Sequence, residues 1–208
     1  MRGMRDLTPE ERNRIEAAVS AAETRTSAEF AVVMAHASDE YTLFPLLWAA
    51  LLALLTGGVI TIVLPVMSVS MSFTIQAGVF IAAGLLLQIK KLRPHLAPSA
   101  VQREYASRLA RLQFASLVNE QTRGGIGLLL FVSLAERHVE IIADNGIAAY
   151  IPQTAFQKII DAFIREVHQG HIAEGFIGAI EACTLVLQQH FPARPDEPNE
   201  IANRVTEI

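Results

Sequence analysis

The chain has 208 residues, of which 51% are hydrophobic and only 18% are charged, whereas about 25% of residues are charged in an ordinary soluble domain. Its single cysteine excludes a small scaffold held together by disulfide bonds. The formal net charge is −4 and no long basic run is present, which argues against a nucleic-acid partner.

The first 41 residues predict one helix and one strand. Thr8 can cap a helix whose third residue, Glu11, completes a capping box. Apolar residues then recur with helical spacing until about Arg25. The run 28–36, AEFAVVMAH, is mostly apolar and of strand length, as expected for a strand that is buried on both faces.

The next segment accounts for the low charge of the whole chain. The 48 residues 42–89 contain no Asp, Glu, Lys or Arg. Within it, 43–66 and 71–89 are each long enough to cross a hydrocarbon layer about 30 Å thick as a helix. A short link joins them, so they are predicted to form a transmembrane hairpin in a lipid bilayer. A buried helical hairpin of a soluble protein is the alternative, but it would need a larger core than the rest of the chain offers.

The charges that flank the hairpin predict its orientation. Lys90, Lys91 and Arg93 follow the second span, whereas the link between the spans has no basic residue. By the positive-inside rule, both soluble segments are therefore expected in the cytoplasm. Residues 1–39 lack the apolar core of a signal peptide. The predicted location is a bacterial inner membrane.

Small residues in the spans favour close helix packing. Ala49, Ala53 and Gly57 recur every four residues in the first span, and Gly78 and Ala82 do so in the second. Such faces let helix backbones approach each other in lipid. Packing within the hairpin is favoured over a dimerisation face.

The chain beyond the hairpin alternates again between helical and strand patterns. Helices are predicted over 98–122, 152–168 and 172–190, and strands over 126–134 and 137–144. The first two strands of the chain should be parallel and the last two antiparallel. The fold class is therefore α/β, one domain with a small mixed sheet that the hairpin interrupts. The predicted organisation is domain (1–41), hairpin (42–89), remainder of the domain (90–191) and a flexible C-terminal tail (192–208).

Four segments together resemble the TPM-domain family. They are RTSAEF at 25–30, TRG at 122–124, GIGLLLFVSLAERHVEIIADNGI at 125–147 and GFIGAIE at 175–181. The similarity is to a bacterial membrane subgroup in which two transmembrane helices interrupt the domain after its first strand. The resemblance implies a three-layer α/β/α domain with a central sheet. For some relatives it also implies acid-phosphatase activity or the binding of a divalent metal.

The predicted topology brings one set of residues to the same end of the sheet: Glu29, Asp144, Gly124 and Gly125. Two carboxylates beside exposed backbone could hold Ca²⁺ or Mg²⁺, which could in turn bind a phosphate. In the alternative, which we favour, Glu29 is a cap or pairs with Arg123, and Asp144 organises a turn before Gly146. No cofactor is certain.

Other polar residues are weaker candidates for a functional site. Glu136 and Glu140 are expected on a solvated surface, and Cys183 is expected to be a buried small hydrophobe. His168 and His171 have metal-ligand spacing, but no third ligand is indicated.

The sequence favours an interaction, assembly or quality-control module that acts at the membrane on membrane proteins. The alternative is a metal-assisted acid phosphatase, so the enzyme question is left open.

Overall fold

The computed structural model describes residues 7–89, 93–119, 126–194 and 200–208. The chain divides into two compact units. One unit contains residues 1–38 and 103–208, and the other contains residues 39–102. The second unit is therefore an insertion within the chain of the first.

The helices, in chain order, are α1 (Pro9–Glu23), α2 (Leu43–Val63), α3 (Val69–Leu87), α4 (Arg93–Leu96), α5 (Ser99–Phe114), α6 (Asn145–Ala148), α7 (Gln153–His168) and α8 (Ile172–Leu187). The strands are β1 (Glu29–Ala35), β2 (Gly127–Ser133), β3 (His138–Ala143) and β4 (Val205–Glu207). A π-helical turn, Ala115–Asn119, follows α5. At the start of α1, Thr8 and Glu11 form the predicted capping box.

The four strands form one mixed sheet in the order β3-β2-β1-β4. β1 is parallel to β2 and β2 is antiparallel to β3, which confirms both predicted pairings. β4 adds to the other edge of β1, also in parallel. The expectation of a flexible tail is therefore wrong for its last residues. They pair with a strand some 170 positions earlier, and no local pattern records such pairing.

Helices cover both faces of the sheet. Alternate residues of β1 and β2 point to opposite faces, as in any strand. One set, which includes Phe30 and Leu130, packs with buried residues of α1, α7 and α8. The other set, which includes Val33 and Phe131, packs with residues of α5 and the π-helical turn. The domain thus has the predicted three-layer α/β/α arrangement.

The inserted unit is built around the helical hairpin. Ser68 caps α3, since its hydroxyl accepts from the main-chain N–H of Met71. A Cβ atom built on Gly57 would lie against the Gln76 amide. One built on Gly84 would lie 4.0 Å from the Cβ atom of Ala49. Ala49 and Gly57 of α2 thus pack within the hairpin, as predicted, whereas a Cβ built on Gly78 of α3 meets no atom within 4 Å, so the predicted packing role of Gly78 is wrong.

The large apolar side chains of α2 and α3 are mostly exposed. In the most apolar 18-residue stretch of each helix, only 11% of α2 and 0% of α3 is buried. A core helix of a soluble protein would be mostly buried. The two helices are long and apolar enough to cross a membrane.

Candidate functional site

Glu29, the first candidate ligand, is half-buried at the start of β1. Its two carboxylate oxygens accept separate hydrogen bonds, from the main-chain N–H of Glu200 at 3.2 Å and from that of Ile201 at 3.1 Å. A carboxylate with both oxygens on backbone donors satisfies two polar groups of the chain. Glu29 therefore holds the C-terminal segment against the start of β1.

Asp144, the second candidate ligand, follows β3 and caps α6. Its Oδ1 atom accepts from the N–H of Asn145 at 2.6 Å, and its carbonyl oxygen accepts from the N–H of Ile147 at 3.0 Å. The predicted turn at Asn145 and Gly146 is thus the first part of a short helix. The carboxylate has the local organising role that the sequence analysis favoured.

The two carboxylates lie at the same end of the sheet, as the predicted topology requires. Glu29 is paired with Gly127 across β1 and β2, and the N–H of Asp144 donates to the carbonyl oxygen of Gly127 at 2.9 Å. Two strand spacings, about 10 Å, therefore separate their main chains. Gly124 and Gly125 lie outside the described residues, as does Arg123.

A metal at this end would need further oxygen donors. Ca²⁺ takes six to eight oxygen ligands, and Mg²⁺ takes six. In the part of the chain that the structure describes, no group of three or more His, Cys, Asp or Glu side chains could hold a metal ion. The assignment of Glu29 and Asp144 as metal ligands stays a prediction.

A buried polar cluster lies at the opposite end of β1 and β2. Ser133 is 0% exposed and its hydroxyl is hydrogen-bonded to the Glu136 carboxylate. The same carboxylate accepts from the Ser38 N–H at 3.0 Å and from the Ser38 hydroxyl at 3.3 Å. We call Ser38, Ser133 and Glu136 the Ser-Glu clasp. It ties the chain that leaves β1 to the β2–β3 turn.

The clasp corrects the expectation for Glu136. This side chain is only 9% exposed, whereas the sequence analysis placed it on a solvated surface. Its partner Ser38 lies 98 positions away, so sequence spacing alone did not reveal the contact. One signal was present, because Ser133 is a polar residue within an otherwise apolar central strand.

Glu140 is also less exposed than expected. It lies on β3 and accepts hydrogen bonds from the Ser107 hydroxyl at 3.1 Å and from His138 Nε2 at 3.0 Å. Burial raises the pKa of Glu140, but the hydrogen bonds from His138 and Ser107 and the nearby Arg111 outweigh it, so the net shift is downward. Glu140 is therefore held in its charged form.

An open groove runs along α5 close to Glu140. Its volume is about 480 Å³, and it is lined by Glu104, Ser107, Arg108, Arg111 and Leu112. The lining carries both signs of charge. It therefore does not select a cation or an anion by charge alone.

Glu23, which the sequence analysis did not single out, has a strongly raised pKa. Its Oε1 atom accepts from the N–H of Phe30 at 3.2 Å. Burial, and then the neighbouring charge of Glu29, raise the pKa of Glu23 to about 7 against the opposing effect of its hydrogen bonds. No sequence pattern indicates this, since the shift depends on how α1 meets β1.

The remaining candidates have structural roles. Cys183 is 1% exposed, as expected, and burial raises the pKa of its thiol to about 12. His171 immediately precedes α8, and its Nδ1 atom lies 3.5 Å from Glu166 Oε2 at an exposed site. His168 is also exposed. The structure thus gives this pair of histidines no buried coordination site.

Comparisons with known proteins identify the domain. Residues 92–185 match the family model described as the TPM domain. The fold is similar to that of the BA42 protein from the psychrophilic bacterium Bizionia argentinensis, solved by NMR, with a TM-score of 0.62 over 98% of this chain and 97% of that one. The identity is 18%, so this likeness concerns the fold alone. No curated protein matches the sequence. Residues 92–185 therefore match the TPM domain, and the resemblance seen in the sequence is confirmed for this part of the chain.

Proposed function

We propose that this protein is a TPM domain anchored in a bacterial inner membrane, where it acts as an interaction, assembly or quality-control module for membrane proteins. One observation carries the proposal. The side chains best suited to hold a metal, Glu29 and Asp144, already accept hydrogen bonds from main-chain N–H groups. Either carboxylate would have to give up contacts that stabilise the fold before it could coordinate a cation fully.

The membrane anchor is supported by the exposed side chains of α2 and α3. Soluble proteins rarely expose a contiguous apolar surface of more than a few hundred Å², and both helices are apolar on nearly all sides. A bilayer removes this surface from water. After alkaline extraction of cell membranes, the protein is expected in the membrane pellet. Its quantitative release into the supernatant would contradict the anchor.

The cytoplasmic orientation is supported by the basic residues that follow the second span. A reporter that is active only outside the cytoplasm, fused after Ile208, is expected to be inactive, whereas a cytoplasmic reporter at the same site is expected to be active. The opposite pair of results would overturn the orientation.

The interaction role is best tested on exposed apolar side chains of the TPM domain. Tyr150 is 65% exposed and stacks edge-on against Phe191, and aromatic residues are enriched at protein interfaces. A photoreactive amino acid at Tyr150, Leu112 or Leu185 should give discrete adducts with membrane proteins in native membranes. The matched control is the same amino acid at the exposed position Glu10. No adduct from any of the three apolar positions would contradict the proposal.

The alternative function is a metal-assisted acid phosphatase. One observation favours it: Glu29 and Asp144 are joined through Gly127 at one end of the sheet. Purified protein should be assayed for phosphatase activity with Mg²⁺, Ca²⁺ and Mn²⁺. An interaction module gives no metal-dependent turnover. Turnover that Asp144→Asn abolishes, with the fold retained, would establish the enzyme instead.

A further inference from the structure

The base of the hairpin, where α2 begins and α3 ends, carries a small polar assembly. Trp48 lies on the second turn of α2, and its indole N–H donates to the carbonyl oxygen of Leu96 at 3.1 Å. Leu96 is the last residue of α4. The hydrogen bond therefore holds α4 beside the start of α2, although α4 follows α3 in the chain.

Trp48 indicates where this assembly lies relative to a bilayer. It is about 8 Å along the helix from Leu43, at 1.5 Å per residue, and it is 45% exposed. Tryptophan is enriched at membrane–water interfaces, where its ring contacts apolar chains and its N–H contacts polar groups. The base of the hairpin is therefore expected at the level of the lipid headgroups. This placement rests on the proposed membrane anchor.

Arg93, the first residue of α4, is held by the end of α3. Its Nε atom donates to the carbonyl oxygen of Gln88, the C-cap of α3, at 2.9 Å. A guanidinium has five N–H donors, so the four on the two terminal nitrogens are not used by this bond. Among the described residues, neither Arg93 nor His95 forms an ion pair with a carboxylate. The terminal nitrogens are thus available to an anion.

The charges near the base are distributed unevenly along the chain. Lys90 and Lys91 precede Arg93 in the sequence, so three permanent positive charges follow α3 closely. The acidic residues of the inserted unit, Asp39 and Glu40, both precede α2. The Asp39 carboxylate already accepts a hydrogen bond from a main-chain N–H at 2.8 Å. The segment that follows α3 therefore carries an unbalanced positive charge.

We propose that the base of the hairpin binds the phosphate of an anionic phospholipid headgroup, with Arg93 as the phosphate ligand and Trp48 packed against the lipid. Because Gln88 orients the guanidinium through Nε, its terminal nitrogens can meet two phosphate oxygens at once. Lys90 and Lys91 add an attraction that needs no fixed geometry. Zwitterionic lipids carry a cationic group beside the phosphate, which these residues repel. The site therefore favours a headgroup of net negative charge.

The fluorescence of Trp48 provides a local test, since it is the only tryptophan in the chain. The purified full chain is reconstituted in vesicles of phosphatidylcholine and phosphatidylglycerol, in which one lipid at a time has brominated acyl chains. Bromine quenches tryptophan at short range, so the two quenching curves give the relative association of the two lipids at Trp48. Phosphatidylglycerol should be favoured by a factor of at least about five. Arg93→Gln should lower this ratio about fivefold, the effect of about 1 kcal/mol for one basic residue.

Two variants and one competitor show whether the charge of Arg93 acts on a lipid. Arg93→Lys keeps the charge and should keep most of the preference. Arg165→Gln removes an exposed arginine of α7, and this matched control should leave the ratio unchanged. Glycerol phosphate in solution should not relieve the quenching, because the ligand is the phosphate of a lipid.

Several results would overturn the proposal. They are equal association of the two lipids in the wild type, an unchanged ratio in Arg93→Gln, an equal fall in Arg165→Gln, and a fall in Arg93→Lys as large as that in Arg93→Gln. Relief of the quenching by glycerol phosphate would assign the site to a soluble phosphate instead. No quenching by either lipid would refute the membrane anchor together with the site, whereas equal quenching by both would refute the site alone.

Discussion

The Ser-Glu clasp makes a specific prediction about stability. Replacing Glu136 with alanine removes the acceptor of the Ser38 N–H and of the Ser133 hydroxyl, which is 0% exposed. A hydrogen bond to a charged group contributes about 1.5 to 3 kcal/mol. With two such bonds lost, Glu136→Ala should lower the free energy of unfolding by about 3 kcal/mol or more.

Thermal unfolding of the full chain in detergent, followed by far-UV circular dichroism, measures the effect. For a chain of this size, about 3 kcal/mol corresponds to a fall of about 6 to 12 °C in Tm. Glu136→Gln keeps one acceptor oxygen and should cost about 1 kcal/mol. Glu104→Ala is the control, because this exposed residue of α5 should change stability by less than about 0.5 kcal/mol.

The order of the three melting temperatures tests whether the clasp stabilises the domain. If the clasp holds the exit of β1, Glu136→Ala is much more destabilising than Glu136→Gln, and both exceed Glu104→Ala. Equal melting temperatures for Glu136→Ala and Glu104→Ala would refute a stabilising role for the buried carboxylate. They would mean that the Ser38 and Ser133 groups find water or other partners at no cost.

Three further predictions concern the glycines of α8, the cysteine of α8 and the dependence of stability on pH below pH 6. Gly178→Ala should raise Tm by about 2 to 4 °C, since alanine is favoured over glycine in helices by about 1 kcal/mol and the new Cβ meets no atom within 4 Å. Gly175→Ala should raise Tm less or not at all, because its Cβ would lie 3.3 Å from the ring of Phe163. Cys183 should not react with a thiol reagent at pH 8 until the chain is unfolded by denaturant; rapid reaction of the folded protein would contradict its burial. Glu140 has a lowered pKa in the fold, so its stabilising contribution is present above its unfolded value of 4.5 and is lost as pH falls through the lower folded value. As pH is lowered from 6 to 3, the Tm of Glu140→Gln should therefore fall less steeply than that of the wild type.

Much of the fold could be predicted from sequence because its signals are local. Continuous apolar runs identified β1 and β2, and a long uncharged segment identified the hairpin. The connections then fixed the strand directions, since a long crossover permits a parallel pair and a tight turn produces an antiparallel one. These features depend on neighbours within one element or one turn.

The missed features depend instead on partners that are distant along the chain. β4 has three residues, too few for an alternation pattern, and it exists only because β1 offers an edge. Glu23 and Glu136 have ordinary charged-surface sequence contexts. Their burial follows from how α1 meets β1 and how Ser38 returns to the β2–β3 turn. Glu29 and Asp144 lie at one end of the sheet, as the predicted topology requires, while the hydrogen bonds that occupy their carboxylates could not be predicted.

The two ends of β1 explain how the domain tolerates a large insertion between β1 and β2. The entropy of closing a loop grows only slowly with length, by about 0.6 kcal/mol for each doubling, so the insertion itself is a small burden on stability. The greater requirement is that β1 keeps its register when the chain leaves it for another unit. Glu29 fixes the start of β1 to the C-terminal segment, and Glu136 fixes its exit at Ser38. Both anchors lie within the unit that contains the sheet, so β1 does not depend on the inserted hairpin to hold its two ends.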